Sequence, residues 1–269
     1  MTKQFVDQRF HHLFDGGFKQ VSEFEGEIFR ELENRRTVRV EKNGERFFAK
    51  THFGVGWWEI AKNLCQLRLP VLGAENEFKA LNELGRLGID TLTPVFYHSE
   101  GINPARRKSC IVTRALENTK SIEELLIEDG VSVAMKRTLI PRLAEIARVL
   151  HSNGINHRDF YVCHFLLDMT KSDPRPFLID LHRAQIRDRT PRRWRVKDIG
   201  GLFFSSFDYN NVTRRDVYRF MVGYSGKSLR ETLRDDASFW HQVFERAQKL
   251  YFQDNRELPG WVAHLRTTP

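Results

Sequence analysis

The sequence predicts an α+β fold of two lobes, with an antiparallel sheet in the N-terminal lobe and mainly helices in the C-terminal lobe. Segments that alternate apolar and polar residues dominate the first part of the 269-residue chain, and apolar residues at helical spacing dominate the second. Loops that carry acidic residues lie where the two patterns meet. The boundary is expected near residues 114–120, which gives predicted domains of residues 1–115 and 116–269.

Residues 1–17 are predicted to form a short amphipathic helix that ends at Gly16-Gly17. Its large apolar side chains are spread among polar ones, at Phe5, Phe10, Leu13 and Phe14. Packing against the body of the protein is the favoured interpretation. Contact with a membrane surface is the alternative, although the segment lacks the lysine-rich polar face of membrane-surface helices.

A β-hairpin is predicted next. Residues 37–41 alternate, Asn43-Gly44 favours a two-residue turn, and residues 46–50 return. The returning strand ends in Lys50, which this pattern alone would place at an exposed strand end. Gly26 is predicted to lie in an earlier turn between strand-like pieces, although loops that bind phosphate normally carry several glycines.

Two helices are predicted after the hairpin. The first spans residues 57–68 and ends before Pro70, because its apolar residues recur at helical spacing, at Trp57, Ile60, Leu64 and Leu67. The second begins near Ala74, and three of its apolar residues face inward: Phe78, Leu81 and Leu84.

Glu77 shares the inward face of the second helix, because it lies four residues before Leu81. A buried acid needs a cation, and Lys50 is a candidate. The alternative is an acid near a helix N-terminus that the helix dipole stabilises.

Further elements follow in order. Residues 94–97 and 109–113 predict two strands joined by a polar turn. Ser121, followed by Glu124, predicts the capping box of a short helix. Apolar residues at 139, 143, 146 and 150 predict a long helix, in which Pro141 implies a kink or a late start. Three more helices are predicted to begin at Asp198, Asp216 and Ala237.

The candidate catalytic residues follow the long helix. The helix ends at Asn153-Gly154, Asp159 follows in a short loop, and Asp180 lies within the apolar run Ile179-Asp180-Leu181. Two aspartates held by short strands, with Lys50 on an upstream strand, suit phosphoryl transfer. One acid would orient the attacking hydroxyl, the other would hold Mg²⁺, and the lysine would steady the nucleotide phosphates.

The positive charge of the chain is unevenly spread. The formal net charge is +8, and residues 183–197 contain seven basic residues against one acid, Asp188. The basic residues of this run are Arg183, Arg187, Arg189, Arg192, Arg193, Arg195 and Lys197. Because a solvated face usually mixes both signs, the run predicts an anionic partner: nucleic acid, an acidic protein or an anionic lipid.

Composition narrows the class of protein. Hydrophobic residues at 41% and charged residues at 29% are ordinary for a globular protein. No run approaches the roughly 18 apolar residues of a membrane span, and the N-terminus has no apolar core of signal-peptide length, so the chain is expected in the cytoplasm. Cysteines at 65, 110 and 163 are too widely spaced for a disulfide framework or a zinc site, and lone buried thiols are expected.

Residues 150–159 resemble the catalytic loop of the protein-kinase fold, and residues 165–167 and 178–180 resemble the two strands that follow it. The narrower resemblance is to the bacterial lipopolysaccharide core heptose(I) kinases, the WaaP or RfaP family. Segments that are similar to that family are residues 29–33, 69–74, 157–167, 179–187 and 191–195.

The resemblance implies a role for each candidate residue. Asp159 would orient the sugar hydroxyl and accept its proton late, and Asp180 would hold Mg²⁺ at the β- and γ-phosphates of ATP. Lys50, held by Glu77, would contact the α- and β-phosphates. Further ATP contacts would come from Gly26 and from the hinge segment around Thr113 and Arg114.

Three features depart from the protein-kinase pattern. His164 replaces the asparagine expected on the second metal, so it would bind metal, contact phosphate, or leave a single metal in place. Leu181-His182 replaces the usual Phe-Gly, so regulation through that phenylalanine is not implied. An extra helix lies between Lys50 and Glu77, which leaves Glu75 as an alternative partner for Lys50.

The family resemblance also implies the acceptor. An inner-core heptose on lipid A, already bearing phosphates and Kdo carboxylates, would suit the six arginines from 183 to 195, and would bring the chain to the cytoplasmic face of the inner membrane. Nucleic acid is not expected, because no RNA-binding signature accompanies the charge. The rival functions are a kinase for protein hydroxyls or small alcohols, and a basic pseudokinase scaffold. Acyl carrier protein, an acidic helical protein, would suit the positive charge as a partner.

Overall fold

The computed structural model describes residues 2–32, 34–65, 70–254, 257 and 259–262. The chain forms two compact units. The sheet unit comprises the described residues up to Arg86, together with Thr91–Leu116 and Leu181–Arg183. The helical unit comprises Leu87–Asp90, Glu117–Asp180 and the described residues from Ala184 onward. The division into continuous domains 1–115 and 116–269 stays a prediction.

The sheet unit contains a six-stranded sheet in the order β1-β5-β6-β4-β3-β2, in which every neighbouring pair is antiparallel. Its strands are β1 (Lys3–Val6), β2 (Glu27–Leu32), β3 (Arg35–Lys42), β4 (Glu45–His52), β5 (Pro94–Glu100) and β6 (Lys108–Arg114). The predicted hairpin is β3–β4, and the positive φ angles of Asn43 and Gly44, 51° and 77°, are those that a tight hairpin turn requires. Both strands predicted at 94–97 and 109–113 are confirmed as β5 and β6.

The N-terminal helix predicted for residues 1–17 is wrong, although the apolar side chains do pack against the body of the protein as favoured. Residues 3–6 form strand β1, with Phe5 paired opposite Tyr97 of β5, and a 3₁₀ turn (Gln8–Phe10) follows. The rings of Phe10 and Phe14 both pack edge-on against Phe47 at 5.4 Å between ring centroids. The apolar side chains therefore serve a sheet edge and the core beside it, rather than one face of a helix.

Three helices belong to the sheet unit: α1 (Gly17–Ser22), α2 (Gly56–Cys65) and α3 (Glu75–Arg86). Within α2, Ile60 is buried whereas Trp57 and Leu64 are exposed, so the apolar residues at helical spacing do not form one buried stripe. Leu67, the last member of that stripe, lies outside the described residues. The predicted inward face of α3 is confirmed by the burial of Leu81 and Leu84.

The helical unit contains α4 (Ile122–Ile127), α5 (Val133–Ser152), α6 (Arg192–Ser206), α7 (Arg214–Ser225), α8 (Leu229–Asp235) and α9 (Ala237–Gln253). The capping box of α4 is confirmed, with Ser121 and Glu124 bonded reciprocally. Helix α5 begins eight residues before Pro141 and continues past it, so a late start at the proline is wrong. Helix α6 begins at Arg192 rather than at Asp198, so the second half of the basic run is helical.

Short strands support the loops of the helical unit. β10 (Pro176–Leu178), β9 (Phe165–Asp168) and β7 (Thr119–Ser121) form one small sheet, and β11 (Gln185–Ile186) pairs with β8 (Ile155–Asn156). The largest fully buried side chains of this unit include Trp240, Tyr251 and Phe207. Within the described ranges, no helix combines the length and the apolar character that crossing a membrane demands. A mixed sheet unit and a helical unit confirm the predicted α+β class.

Candidate active site

The candidate catalytic loop begins where α5 ends. Gly154 adopts φ +77°, in the left-handed region that glycine tolerates best. Its Cα also lies directly against the carbonyl oxygen of Arg187, at a point where a Cβ would clash. The backbone N–H of Arg187 donates to the carbonyl of Gly154 at 3.0 Å. The glycine therefore lets the chain leave α5 and enter strand β8 against β11.

A buried carboxylate of helix α6 holds the loop. Asp198 accepts the backbone N–H of His157 at 2.7 Å and that of Arg158 at 2.9 Å. The Nε2 atom of His151 lies 3.3 Å from the same carboxylate. Because Asp198 is fully buried, these donors replace the water that the charge would otherwise need. The sequence prediction placed Asp198 only at a helix start and missed this role.

His157 adds a second anchor. Its ring is fully buried, Nδ1 accepts the backbone N–H of Asp159 at 3.3 Å, and Nε2 lies 2.9 Å from the carbonyl of Ile179. These partners assign the proton to Nε2, which donates to that carbonyl. Burial lowers the pKa of His157, so the ring is held neutral. The imidazole thereby connects the loop of Asp159 to the residue before Asp180.

His164 lies between the two predicted acids. Its Nδ1 atom is 2.6 Å from the carbonyl oxygen of Asp159, and its Nε2 atom is 3.7 Å from Oδ2 of Asp180. If Nδ1 donates to the carbonyl, the lone pair of Nε2 faces the Asp180 carboxylate. A nitrogen lone pair and a carboxylate at this separation can share one cation, so the donor set fits a divalent metal. In the described part of the chain, no cluster of three or more His, Cys, Asp or Glu side chains forms a metal site.

Lys50 and Glu77 form an ion pair within the sheet unit. The Nζ atom of Lys50 lies 2.6 Å from Oε1 of Glu77, which is fully buried. Glu75 bonds Lys3 at 2.7 Å and is also near Lys79 and Arg107. The structure thus pairs Lys50 with Glu77 and gives Glu75 other cations. These hydrogen bonds, those to Lys3 foremost, hold the pKa of Glu75 below its ordinary value.

The remaining predicted ATP contacts lie in two parts of the sheet unit. Gly26 follows α1 and precedes β2, so its predicted place between two strands is wrong. A Cβ at Gly26 would clash with the carbonyl of Arg39, which gives the glycine a packing role on β3. Thr113 is buried in β6, and the exposed Arg114 pairs with Glu45 at 2.8 Å. The contacts of Gly26, Thr113 and Arg114 with ATP stay predictions.

The structure divides the six arginines of the basic run into separate environments. Arg183 belongs to the sheet unit, in the 3₁₀ turn Leu181–Arg183. Arg187 and Arg193 both lie 5.6 Å from the ring of Trp194, which Arg158 and Lys197 also approach. Burial, followed by the nearby charge of Arg193, lowers the pKa of Arg187.

Two other arginines of the run lie over the ring of Phe239. The guanidinium carbons of Arg192 and Arg195 lie 5.8 Å and 5.6 Å from its ring centroid. Arg189 is exposed. That these arginines bind an acceptor stays a prediction.

The three cysteines are free thiols, as predicted, but only Cys110 is buried. Burial raises the pKa of Cys110 to about 12. Cys65 is exposed at the end of α2, which corrects the prediction of buried thiols. Cys163 is partly buried in the turn after Asp159, and burial raises its pKa to about 11, so it is no candidate nucleophile.

Comparison with known proteins identifies the family. The sequence profile of the lipopolysaccharide kinase (Kdo/WaaP) family matches residues 19–224. The chain belongs to the lipopolysaccharide kinase (Kdo/WaaP) family. It is 43% identical over 260 residues to the lipopolysaccharide core heptose(I) kinase WaaP of Pseudomonas aeruginosa strain PAO1, covering 93% of this chain and 97% of that protein.

Two further comparisons agree with this family. The chain is 42% identical over 247 residues to the WaaP of Escherichia coli K12, covering 89% of this chain and 93% of that protein. A solved structure described as WaaP in complex with acyl carrier protein matches with a TM-score of 0.78 at 38% identity, covering 93% of this chain and 99% of that one. The predicted Kdo/WaaP family membership and the kinase-like α+β fold are therefore confirmed.

Proposed function

We propose that this member of the Kdo/WaaP family is an ATP-dependent kinase that transfers the γ-phosphate to a hydroxyl of the first heptose of the lipopolysaccharide inner core. The near full-length similarity to two proteins named heptose(I) kinase supports this acceptor. The observation that carries the proposal is the link through His164, whose ring contacts the Asp159 carbonyl and faces the Asp180 carboxylate. A kinase needs one acid for the acceptor and one for the metal, and this arrangement supplies both.

Asp159 is proposed to orient the acceptor. Its carboxylate would accept a hydrogen bond from the heptose hydroxyl and take the proton late, because phosphoryl transfer passes through a loose transition state. Asp198 and His157 fix the backbone that leads into Asp159, including the N–H of Asp159 itself, so this residue is positioned before the acceptor arrives. Such positioning is the main contribution that a protein makes to this reaction.

Asp180 and His164 are proposed to hold Mg²⁺. When bound, the metal would neutralise the negative charge that develops on the transferred phosphate. Asp180 supplies the hard oxygen ligand that Mg²⁺ prefers, and His164 supplies a nitrogen. The hydrogen bond from the imidazole to the Asp159 carbonyl fixes the orientation of the ring.

Lys50 is proposed to contact the α- and β-phosphates of ATP. Its partner Glu77 is fully buried, so the pair keeps the ammonium at one position on strand β4. The backbone N–H groups of Arg114 and Ala115 donate to the carbonyls of Thr93 and Arg46. An adenine hydrogen bond from the hinge segment would therefore use a carbonyl or an N–H further along the chain.

The acceptor is proposed to be the lipid A-core glycolipid, reached by peripheral contact with the cytoplasmic face of the inner membrane. The uneven positive charge of residues 183–197 supports an anionic acceptor. Arginine forks would bind its phosphate and carboxylate groups with two parallel hydrogen bonds each.

In the decisive experiment, the purified protein is incubated with labelled ATP and one of three acceptors. The acceptors are dephosphorylated core oligosaccharide, a protein mixture and simple alcohols. We expect label only on the oligosaccharide heptose. Asp159→Ala should lower kcat by about 10²- to 10⁴-fold while ATP binding persists, because only the acceptor-orienting group is removed. The exposed acid Asp15 provides the control variant Asp15→Ala. Label on protein instead of heptose would overturn the acceptor, and unchanged turnover in Asp159→Ala would overturn the role of that residue.

Acyl carrier protein is proposed as a partner. The solved structure that this chain resembles is described as a WaaP complex with that protein. A formal charge of +8 suits an acidic helical partner. We expect purified acyl carrier protein to bind at low salt, and binding that persists unchanged in 0.5 M salt would contradict an electrostatic interface.

A further inference from the structure

A basic cavity of about 530 Å³ lies in the helical unit. The end of α5, the segment from Arg189 to Arg195, and the facing ends of α7 and α9 form its wall. Its charged lining residues are Arg148, Arg189, Arg192, Arg195, Lys227 and Asp236. The lining therefore carries five cations and one acid, which sets the sign of any ligand.

Three arginines of this cavity have no ion pair with a carboxylate among the described residues. Lys227 pairs at 3.2 Å with Asp236, the one acid of the lining. Arg192 donates to Gln242 at 3.0 Å and to Ser238 at 2.9 Å, and both of these acceptors are neutral. None of Arg189, Arg192 and Arg195 forms an ion pair with a described carboxylate, since Asp198 pairs with His151 and Asp236 with Lys227. Three guanidinium groups thus face one cavity without a counter-charge.

The rest of the wall has the chemistry of a sugar site. The ring of Phe239 supports the arginines of the wall, because Arg192 and Arg195 lie over it and Tyr224 stacks on it at 5.7 Å. The hydroxyl groups of Ser152 and Ser225 and the carboxylate of Asp236 offer partners for sugar hydroxyls. A bare phosphate would use the guanidinium groups but not the carboxylate acceptor of Asp236.

We infer that this cavity binds a carboxylate-bearing sugar of the acceptor, separate from the heptose that receives the phosphate. The sugar carboxylate would lie against the guanidinium groups of Arg189 and Arg192, and Asp236 would accept from a ring hydroxyl. This inference rests on the kinase function proposed above. It adds Arg148, Lys227 and Asp236 to the predicted acceptor-binding residues. Arg183, Arg187 and Arg193, which were also predicted to bind the acceptor, do not line this cavity.

The cavity wall is continuous with the support of the catalytic loop. The hydroxyl of Tyr224 lies 2.9 Å from Nδ1 of His151, and both residues line the cavity. The other ring nitrogen of His151 contacts Asp198, which holds the loop of Asp159. An acceptor bound here would therefore lie beside the residues that hold the catalytic loop.

The test compares two acceptors: the core oligosaccharide, and the same oligosaccharide with its carboxyl groups reduced to alcohols. For the unreduced acceptor, Arg189→Gln/Arg192→Gln should raise KM about tenfold to a hundredfold with kcat and the ATP KM nearly unchanged, because two charge-assisted contacts are lost. For the reduced acceptor, wild type and double variant should have the same KM. The single variant Arg189→Gln, at an exposed position, should move KM in the same direction.

The control is Arg215→Gln/Arg230→Gln, which removes the same charge from two exposed arginines outside the cavity and should change neither KM. An equal rise in KM for both acceptors, or no rise for either, would overturn the carboxylate site. If wild type phosphorylates neither acceptor, the proposed kinase function fails. Calorimetry with the two oligosaccharides then tests the carboxylate site by itself. If wild type binds the carboxylate form more tightly and the double variant loses that difference, the site is supported. Equal binding of both forms by wild type refutes it.

Discussion

The carboxylate of Asp198 accepts the backbone N–H of His157 at 2.7 Å, so a buried acid of α6 fixes the loop that carries Asp159. The next N–H group, that of Arg158, donates to the other carboxylate oxygen at 2.9 Å. Arg158 has φ +77°, a left-handed conformation that costs a non-glycine residue free energy unless its surroundings enforce it. The two hydrogen bonds to Asp198 hold Arg158 in this conformation. The loop is therefore bent and Asp159 is fixed.

The first prediction concerns this anchor. Asp198→Asn would put an amide NH₂ group against one of two backbone donors, because both carboxylate oxygens accept an N–H. We expect a loss of about 2–4 kcal/mol in unfolding free energy and a fall in kcat of at least tenfold, with the ATP KM little changed. Urea unfolding and steady-state kinetics measure both. Asp15→Asn, at an exposed acid, should change neither quantity, and an Asp198→Asn variant with normal kcat would contradict the anchoring role.

The second prediction separates Glu77 from Glu75. Glu77→Gln keeps a hydrogen-bond acceptor but removes the buried charge that faces Lys50 at 2.6 Å. We expect the ATP KM to rise about tenfold, because the ammonium is no longer held for the phosphates. The matched variant Glu75→Gln removes a charge that faces Lys3 and Arg107 instead, and should leave the ATP KM within about twofold. A larger effect from Glu75 than from Glu77 would reverse the assignment.

The third prediction concerns the glycine at the end of α5. Gly154→Ala would bring a Cβ into the carbonyl of Arg187 and would force alanine to φ +77°. We expect the helical unit to lose about 3 kcal/mol or more, since strain and clash add. Gly85→Ala is the opposite case: Gly85 lies within helix α3 and its Cβ would meet open space, so a gain of about 0.5–1 kcal/mol is expected. Thermal melts of both variants should therefore move in opposite directions.

Local patterns predicted the hairpin and the catalytic loop. The turn of the hairpin depends on the backbone angles of two adjacent residues, Asn43 and Gly44. The residues of the predicted catalytic loop around Asp159 form one continuous segment of the sequence. Both are encoded by neighbours in the sequence, so no long-range partner has to be known.

Long-range partners explain the failures. Strand β1 was missed because it exists only through pairing with β5, about ninety residues later, and because the nearby Phe10, Leu13 and Phe14 have helix-compatible spacing. The start of α6 was missed because its first residues, Arg192 and Arg193, are charged and show no apolar residues at helical spacing. Asp198 was missed because an acid before an apolar run looks like a helix cap, whereas its donors lie 40 and 41 residues away.

The last prediction tests His164 as a metal ligand. With Nδ1 donating to the Asp159 carbonyl, Nε2 presents its lone pair 3.7 Å from the Asp180 carboxylate. A nitrogen ligand favours Mn²⁺ over Mg²⁺, so we expect wild type to reach half-maximal activity at a lower concentration of Mn²⁺ than of Mg²⁺. His164→Asn replaces nitrogen by a hard amide oxygen and should reduce this preference about tenfold.

Direct binding separates ligation from an effect on turnover. The electron paramagnetic resonance signal of Mn²⁺, titrated with ATP present, should report weaker binding in His164→Asn than in wild type. His241→Asn, at an exposed histidine of α9, should match wild type. If Mn²⁺ binds His164→Asn as tightly as wild type while the ATP KM rises, the imidazole contacts phosphate instead. In that case Asp180, without His164, would supply the metal ligand of this pair.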